Sequence, residues 1–199
     1  LTNASVALTV IEALQRLGYE ISDQSIAAGL KTTTWPGRLE VLKEQPRIVV
    51  DGAHNPMGAQ VLAQALKQRF SYERLVLIVG VLKDKDIKGI FEFLIPLADL
   101  VILTRPVNER AAEPEDVRTF AEGLARGEVL IEPMIEKAIS LAIAKAGPND
   151  LICVAGSLYL IRVKVLGRIS SQNLFCVKEH CKLLKSLSTE SLKREKEEI

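Results

Sequence analysis

Scarce cysteine and the lack of a charge excess narrow the classes of protein open to this chain. Its 199 residues include three cysteines, Cys153, Cys176 and Cys181, too few and odd in number for a disulfide framework. The 26 basic and 25 acidic residues nearly cancel, so no global field favours nucleic acid or an anionic membrane. The sequence therefore predicts a cytoplasmic protein whose anion sites are local.

Long apolar runs are also lacking. No segment has the roughly 18 apolar residues of a transmembrane helix, and no basic segment followed by an apolar one marks export. The balance of 48% hydrophobic and 26% charged residues is typical of a globular protein. The chain has no initiating Met and starts within a helical pattern, so we expect it to be a piece of a longer protein.

Apolar periodicity predicts two helices followed by an α/β region. The helices span residues 3–17 and 23–29; the first is expected to be buried, and the second to be capped by Asp23. A domain boundary at residue 34 divides the chain into 1–33, 34–161 and a divergent tail, helical or disordered, over 162–199. The second part alternates strands (38–42, 47–51, 75–81, 100–104, 129–131, 151–155) with helices (57–70, 87–94, 114–124, 133–146).

This alternation predicts a mostly parallel sheet covered on both faces by helices. Such sheets bind ligands beyond the carboxyl ends of their strands, where the connecting loops meet. The loops after Asp51, Val81, Thr104 and Ala155 are therefore the candidate binding loops. They are also the polar, glycine-bearing segments of an otherwise apolar region.

The loop after the second strand has features that helix initiation does not explain. Asn55 can cap the following helix, and Pro56 fits its first position because no amide donor is needed there. Asp51 and His54 have no such role. A carboxylate at a strand end suits ribose hydroxyls, and a histidine above a helix terminus can contact a nucleotide or phosphate. The alternative for Asp51 is that its carboxylate serves the loop itself.

Several motifs, in order, resemble the folylpolyglutamate and dihydrofolate synthases of the Mur ligase superfamily. They are Trp-Pro-Gly-Arg-Leu-Glu at 35–40, Asp-Gly-Ala-His-Asn-Pro at 51–56, Gly-Val-Leu-Lys-Asp-Lys-Asp at 80–86, Thr-Arg-Pro at 104–106 and Gly-Ser-Leu-Tyr-Leu at 156–160. The resemblance implies a Rossmann-like carboxy-terminal domain, preceded by a helical remnant of the central ATPase domain. It also implies an ATP-dependent amide ligase that adds L-glutamate to folate or dihydropteroate.

The resemblance assigns roles to six positions. Asn3 is similar to the family's adenine contact, Arg38 to its interdomain phosphate contact, and Asp51 to its ribose contact. His54 is a further candidate on the nucleotide side. Candidates for glutamate binding are Lys85 and Ser157, and Arg38 and Lys85 are suited to stabilising charge during the reaction.

Other interpretations stay open for the arginines. Arg38 can instead be an exposed strand residue paired with Glu40, two positions along the same strand face. Arg105 and Arg110 can read substrate carboxylates or phosphate, or form surface ion pairs with Glu109 or Glu113. No step of the reaction is assigned to them.

The sequence contains no Gly-x-x-x-x-Gly-Lys-Ser/Thr motif, so no P-loop for a triphosphate is found in this chain. The family's P-loop and magnesium ligands lie upstream; we therefore expect no metal ligands here and a chain inactive alone. Cys176, His180 and Cys181 lie close together, but they are three potential ligands and a zinc site usually needs four. We therefore interpret their segment as helical or unstructured rather than as a zinc site. We hypothesise that the tail is an altered terminus, because the resemblance to the family is lost there.

We expect a monomer that uses ATP and Mg²⁺ in the complete enzyme. Two alternatives remain: the carboxy-terminal domain of a peptidoglycan Mur ligase, and a noncatalytic nucleotide-binding or interaction module.

Overall fold

Short runs of β-branched and leucine residues form a single sheet. The computed structural model describes residues 2–161. Its six strands are β1 (Glu40–Glu44), β2 (Arg47–Val50), β3 (Leu75–Val79), β4 (Leu100–Leu103), β5 (Glu128–Ile131) and β6 (Leu151–Ala155). Their order in the sheet is β1-β2-β6-β3-β4-β5. All neighbours are parallel except β1, which runs antiparallel to β2.

Helices cover both faces of this sheet. They are α3 (Pro56–Arg69), α4 (Ile87–Leu94), α5 (Pro114–Leu124), α6 (Ile135–Lys145) and α7 (Leu158–Ile161); two earlier helices are α1 (Thr2–Arg16) and α2 (Asp23–Thr32). Alternate strand residues face opposite sides, so Leu77 packs with α3, α4 and α5, whereas Val76 and Ile78 pack with α6 and α7. The strands are buried on both sides, which explains their nearly continuous apolar sequence. The predicted α/β fold with a mostly parallel sheet is confirmed.

The order of the strands determines where the loops diverge. The chain moves outward from β2 through β3 and β4 to β5 with its helices on one face, then returns by α6 on the other face to place β6 between β2 and β3. This agrees with right-handed crossovers. The connections that follow β2 and β6 therefore leave for opposite faces. Adjacent parallel strands with such diverging connections form the usual ligand crevice of an open α/β sheet.

The predicted strand 38–42 is wrong at its start. Strand β1 begins at Glu40, and Arg38 lies in a bend. The flanking residues prevent an extended chain, because Gly37 has φ +72° and Leu39, although not a glycine, has φ +47°. Other strand ends differ by one or two residues, as assigned boundaries commonly do. The amides of Asp51, Gly80 and Thr104 still bond to carbonyls of the neighbouring strands, one residue beyond the assigned ends of β2, β3 and β4.

Helices α1 and α2 belong to a unit that ends at Trp35, and the second unit begins at Pro36. The prediction that the first helix is buried is wrong, since Val6 and Val10 are 59% and 54% exposed. Two short helices offer each other too little surface to form a core. The predicted cap is also corrected: Ser22 caps α2, its hydroxyl accepting from the amide of Ser25, while Asp23 is the first helical residue.

None of the described helices has the length and apolar character needed to cross a membrane.

Candidate functional site

The carboxyl edge of the sheet brings the predicted binding loops together. The amide of Gly156 donates to the carbonyl of Ala53 at 3.0 Å, joining the loops after β6 and β2. The amide of Gly80 donates to the carbonyl of Ala155 at 3.3 Å, which joins the loop after β3 to the end of β6. Three loops that are distant in sequence therefore form one continuous edge.

Asp51 is built into this edge by both of its carboxylate oxygens. Oδ2 accepts the amide of Leu39 and Oδ1 accepts the amide of Ala53, each at 2.8 Å. Burial raises the pKa of Asp51 above its ordinary value, against the opposing effects of these two amides and the charge of Arg38. The carboxylate thus serves the loop, which is the alternative that the sequence left open. Each oxygen retains a second lone pair for a ligand hydroxyl.

His54 is oriented by its own loop. Its Nδ1 lies 2.8 Å from the carbonyl oxygen of Gly52, and the ring is half-buried. A carbonyl only accepts, so Nδ1 carries the proton, and in the neutral ring Nε2 is left as an acceptor. This tautomer suits a ligand hydroxyl or amino group better than phosphate. The next residues start α3 as predicted, because Asn55 caps the amide of Gly58 at 2.7 Å and Pro56 is the first helical residue.

Arg38 extends from a turn that other residues hold on both sides. The side chain is exposed, and no hydrogen bond or ion pair of its guanidinium is found within residues 2–161. The alternative pairing with Glu40 is therefore wrong. The Glu40 carboxylate instead accepts the amide of Gly37 at 2.7 Å. Arg38 has its charge available at the edge, close enough to act on Asp51.

The loop after β3 holds a chain of three charges. Asp84 Oδ2 lies 3.0 Å from Lys85 Nζ and 3.2 Å from Arg110 Nη1. The hydrogen bond from Lys85 is the largest effect that lowers the pKa of Asp84. The backbone supports the same pairing, since the amide of Lys83 donates to the carbonyl of Arg110 at 2.8 Å. Two cations from different loops are thereby held together at the edge, and Asp86 caps α4.

Ser157 is 2% exposed, and its Oγ accepts the amide of Tyr159 at 3.2 Å in the first turn of α7. Its hydroxyl proton has no acceptor among the described contacts, so it can donate to a ligand only if that ligand reaches below the surface. Asn3 has an exposed side chain on α1, in the first unit.

Sequence reasoning missed a cleft of about 650 Å³ between the loop after β4 and the first turn of α6. Its lining includes Arg105, Pro106, Val107 and Met134. The ion pair between Arg105 and Glu113, at 2.8 Å, agrees with one of the surface pairings considered for it. No polar motif in the sequence marks Met134 as part of a cleft. Its position there could have been predicted only from the crossover that brings the start of α6 beside the end of β4.

No group of three or more potential metal-binding side chains occurs in the described part of the chain. The Cys176, His180 and Cys181 cluster lies outside the described residues, as does the predicted tail.

The fold and this edge define a Rossmann-like α/β domain. Its candidate binding loops meet where the connections that follow β2 and β6 diverge. Residues 37–158 match the Mur ligase, glutamate ligase domain family, and the chain belongs to that family.

Its relatives include ligases of two kinds. It is 39% identical over 158 residues to the dihydrofolate synthase/folylpolyglutamate synthase of Mycobacterium tuberculosis, covering 78% of this chain and 30% of the relative. It is 33% identical over 162 residues to a UDP-N-acetylmuramyl-tripeptide synthetase of Lactobacillus delbrueckii, with 78% and 30% covered. The chain therefore spans about a third of the length of these curated relatives.

Solved structures show the same domain. A Mycobacterium tuberculosis folylpolyglutamate synthase complexed with ADP has a TM-score of 0.73 at 32% identity, over 80% of this chain and 37% of that one. A bifunctional folylpolyglutamate synthase/dihydrofolate synthase with Mn, AMPPNP and L-glutamate bound has a TM-score of 0.67 at 30% identity, over 77% and 36%.

Proposed function

We propose that this chain is the glutamate-ligase part of an ATP-dependent enzyme that joins L-glutamate to folate, with dihydropteroate as a second acceptor. The observation that carries the proposal is the carboxyl edge. There Arg38, which has no ion pair within residues 2–161, lies in one family motif, and Lys85, held with Arg110 by Asp84, lies in another. The relative with AMPPNP, Mn and L-glutamate bound supports this set of ligands for the whole protein.

Arg38 is proposed to contact phosphate. A guanidinium is permanently charged and presents a fork of donors, so it can bind phosphate oxygens in the two-point geometry that strengthens such contacts. Asp51 and His54 would accept from ribose or base, and Asn3 is proposed as an adenine contact.

Lys85 and Ser157 are proposed to bind glutamate. The Lys85 ammonium already pairs with Asp84, so a substrate carboxylate must share or displace that partner. If the substrate carboxylate displaces Asp84 from Lys85, Asp84 would keep Arg110 as its cationic partner. Ser157, being buried, would bind only a group that enters the crevice between β2 and β6.

The resemblance implies an acyl-phosphate reaction. The folate carboxylate would take the terminal phosphoryl group of ATP, and the glutamate amine would then attack the activated carbonyl carbon, releasing phosphate and forming the amide. The residues of this chain would act by positioning and by stabilising developing negative charge. Magnesium would be bound by other parts of the protein, and a cytoplasmic monomer remains the prediction for the whole.

The second candidate is a peptidoglycan ligase, which the relative of Lactobacillus delbrueckii favours. The two relatives differ little in identity, 39% against 33%, so the choice rests on substrate tests. A noncatalytic nucleotide-binding module is the third.

The test is a fusion of this chain to the upstream region of the Mycobacterium tuberculosis relative. Phosphate release would be measured with tetrahydrofolate, dihydropteroate or a UDP-muramyl substrate, each with and without L-glutamate. We expect glutamate-dependent release with a pterin substrate, and an Arg38→Ala loss of about a hundredfold in kcat. Arg118→Ala, which removes an exposed arginine of α5 paired with Glu122, is the matched control and should retain turnover.

Glutamate-dependent phosphate release with the UDP-muramyl substrate, and with neither pterin substrate, would replace the folate assignment by the second candidate. Nucleotide binding without turnover would favour the third. Unchanged turnover of Arg38→Ala in an active fusion would refute the phosphate contact.

A further inference from the structure

The backbone around Arg38 is held by more hydrogen bonds than the start of a strand requires. Three backbone groups within residues 37–39, here called the Arg38 turn, are each hydrogen-bonded to another residue of the second unit. Glu40 accepts the amide of Gly37 at 2.7 Å, and the carbonyl of Gly37 accepts the amide of Gly52 at 2.7 Å. Asp51 accepts the amide of Leu39 at 2.8 Å. Arg38 is thus flanked on both sides by amides that are bonded to carboxylates.

The conformation of this turn needs such support. Leu39 has φ +47°, in a region that residues with a Cβ rarely adopt, and Gly37 has φ +72°. A non-glycine residue stays in that region only when its surroundings require it. The side chain of Leu39 packs against the core on the sheet face covered by α3, α4 and α5, and a Cβ on Gly37 would lie 3.0 Å from Ile161 of α7. Packing and hydrogen bonds together fix the backbone, while the Arg38 side chain stays exposed.

We propose that Glu40 is a positioning residue for Arg38, since its carboxylate, opposite that of Asp51, fixes the turn from which the arginine extends. The role rests on the proposed phosphate contact of Arg38. Ordering the backbone in advance lowers the entropy lost when a flexible side chain binds its ligand. Glu40 therefore acts through Arg38 and needs no contact with a ligand of its own.

The first test measures amide hydrogen exchange by NMR in the whole 199-residue chain. Glu40→Ala removes the acceptor of the Gly37 amide and should raise its exchange rate about tenfold or more, because bonds to charged acceptors are among the strong ones. Glu40→Gln keeps an acceptor oxygen and should restore most of the protection. The amide of Leu77, in the centre of β3, is the control for global unfolding and should not change.

Exchange at Gly37 that stays within about twofold of the wild type in Glu40→Ala would overturn the proposal. So would an increase that Leu77 shares equally, since the variant would then be generally destabilised.

The second test measures turnover in the active fusion for the wild type, Glu40→Ala, Glu40→Gln, Arg38→Ala and the double variant Glu40→Ala/Arg38→Ala. Glu40→Ala should lower kcat/KM about tenfold, Glu40→Gln should recover most of it, and Glu40→Ala should add little in the Arg38→Ala background. A loss of the same size in both backgrounds would overturn the positioning role, because Glu40 would then act independently of Arg38. Full turnover of Arg38→Ala would refute the proposed phosphate contact and the positioning role together, and the exchange data would still show whether Glu40 holds the turn.

Discussion

Gly156, which follows β6 and precedes Ser157, should not tolerate a side chain. Its φ is +104°, where an alanine is strained by about 1–3 kcal/mol. An added Cβ would also lie 2.6 Å from the carbonyl oxygen of Gly80 and 3.0 Å from Cγ2 of Val79. The oxygen belongs to the backbone of the neighbouring loop and cannot rotate away, so overpacking adds about 1–3 kcal/mol. We expect Gly156→Ala to lower the free energy of unfolding by about 2–6 kcal/mol.

Gly123→Ala is the matched control. Gly123 lies in α5 with no atom within 4 Å of an added Cβ, so the same change should stabilise the protein by about 0.5–1 kcal/mol through helix propensity. Urea unfolding followed by far-UV circular dichroism measures both variants under identical conditions. A Gly156→Ala variant as stable as the wild type, or stabilised like Gly123→Ala, would refute the geometry assigned to this loop.

Three further predictions concern buried groups. Burial raises the folded-state pKa of Asp51, so the contribution of Asp51 to the free energy of unfolding is greatest at low pH and falls as pH rises through that pKa. The stability of the wild type relative to Asp51→Asn should therefore decrease from about pH 4 to about pH 7. An increase over this range would contradict the sign of the pKa shift. Phe91 is fully buried and stacked on Phe120, so Phe91→Ala should cost about 3–5 kcal/mol in urea unfolding. Cys153 is buried, and burial raises the pKa of its thiol. In a variant with Cys176 and Cys181 replaced by serine, a thiol reagent should therefore label the protein in urea but not in the native state. Labelling of the native protein would contradict the burial of Cys153.

The fold was largely predictable because strand periodicity and burial reinforce each other. A run such as Leu75–Val79 is apolar on both faces, which only a strand covered by two helical layers explains. Local chemistry also predicted the start of α3, since Asn55 bonds to the amide three residues away. The burial of α1 was mispredicted, because periodicity shows an apolar face and says nothing of what covers it.

The site was predicted in its composition but not in its contacts. Asp51 bonds to Leu39 from 12 residues away, and Asp84 bonds to Arg110 from 26 residues away. Such pairings depend on how the loops fold against one another, which no local pattern encodes. The positive φ of Leu39 was equally hidden, because a leucine in an alternating run predicts a strand.

The most direct test of the central claim is to identify the product. The fusion would be incubated with ATP, tetrahydrofolate and L-glutamate, and the folate analysed by mass spectrometry. We predict a product that carries one additional glutamate in an amide bond, formed by the wild type and not by Arg38→Ala. An active fusion that leaves tetrahydrofolate and dihydropteroate unchanged while extending a UDP-muramyl substrate would contradict the account.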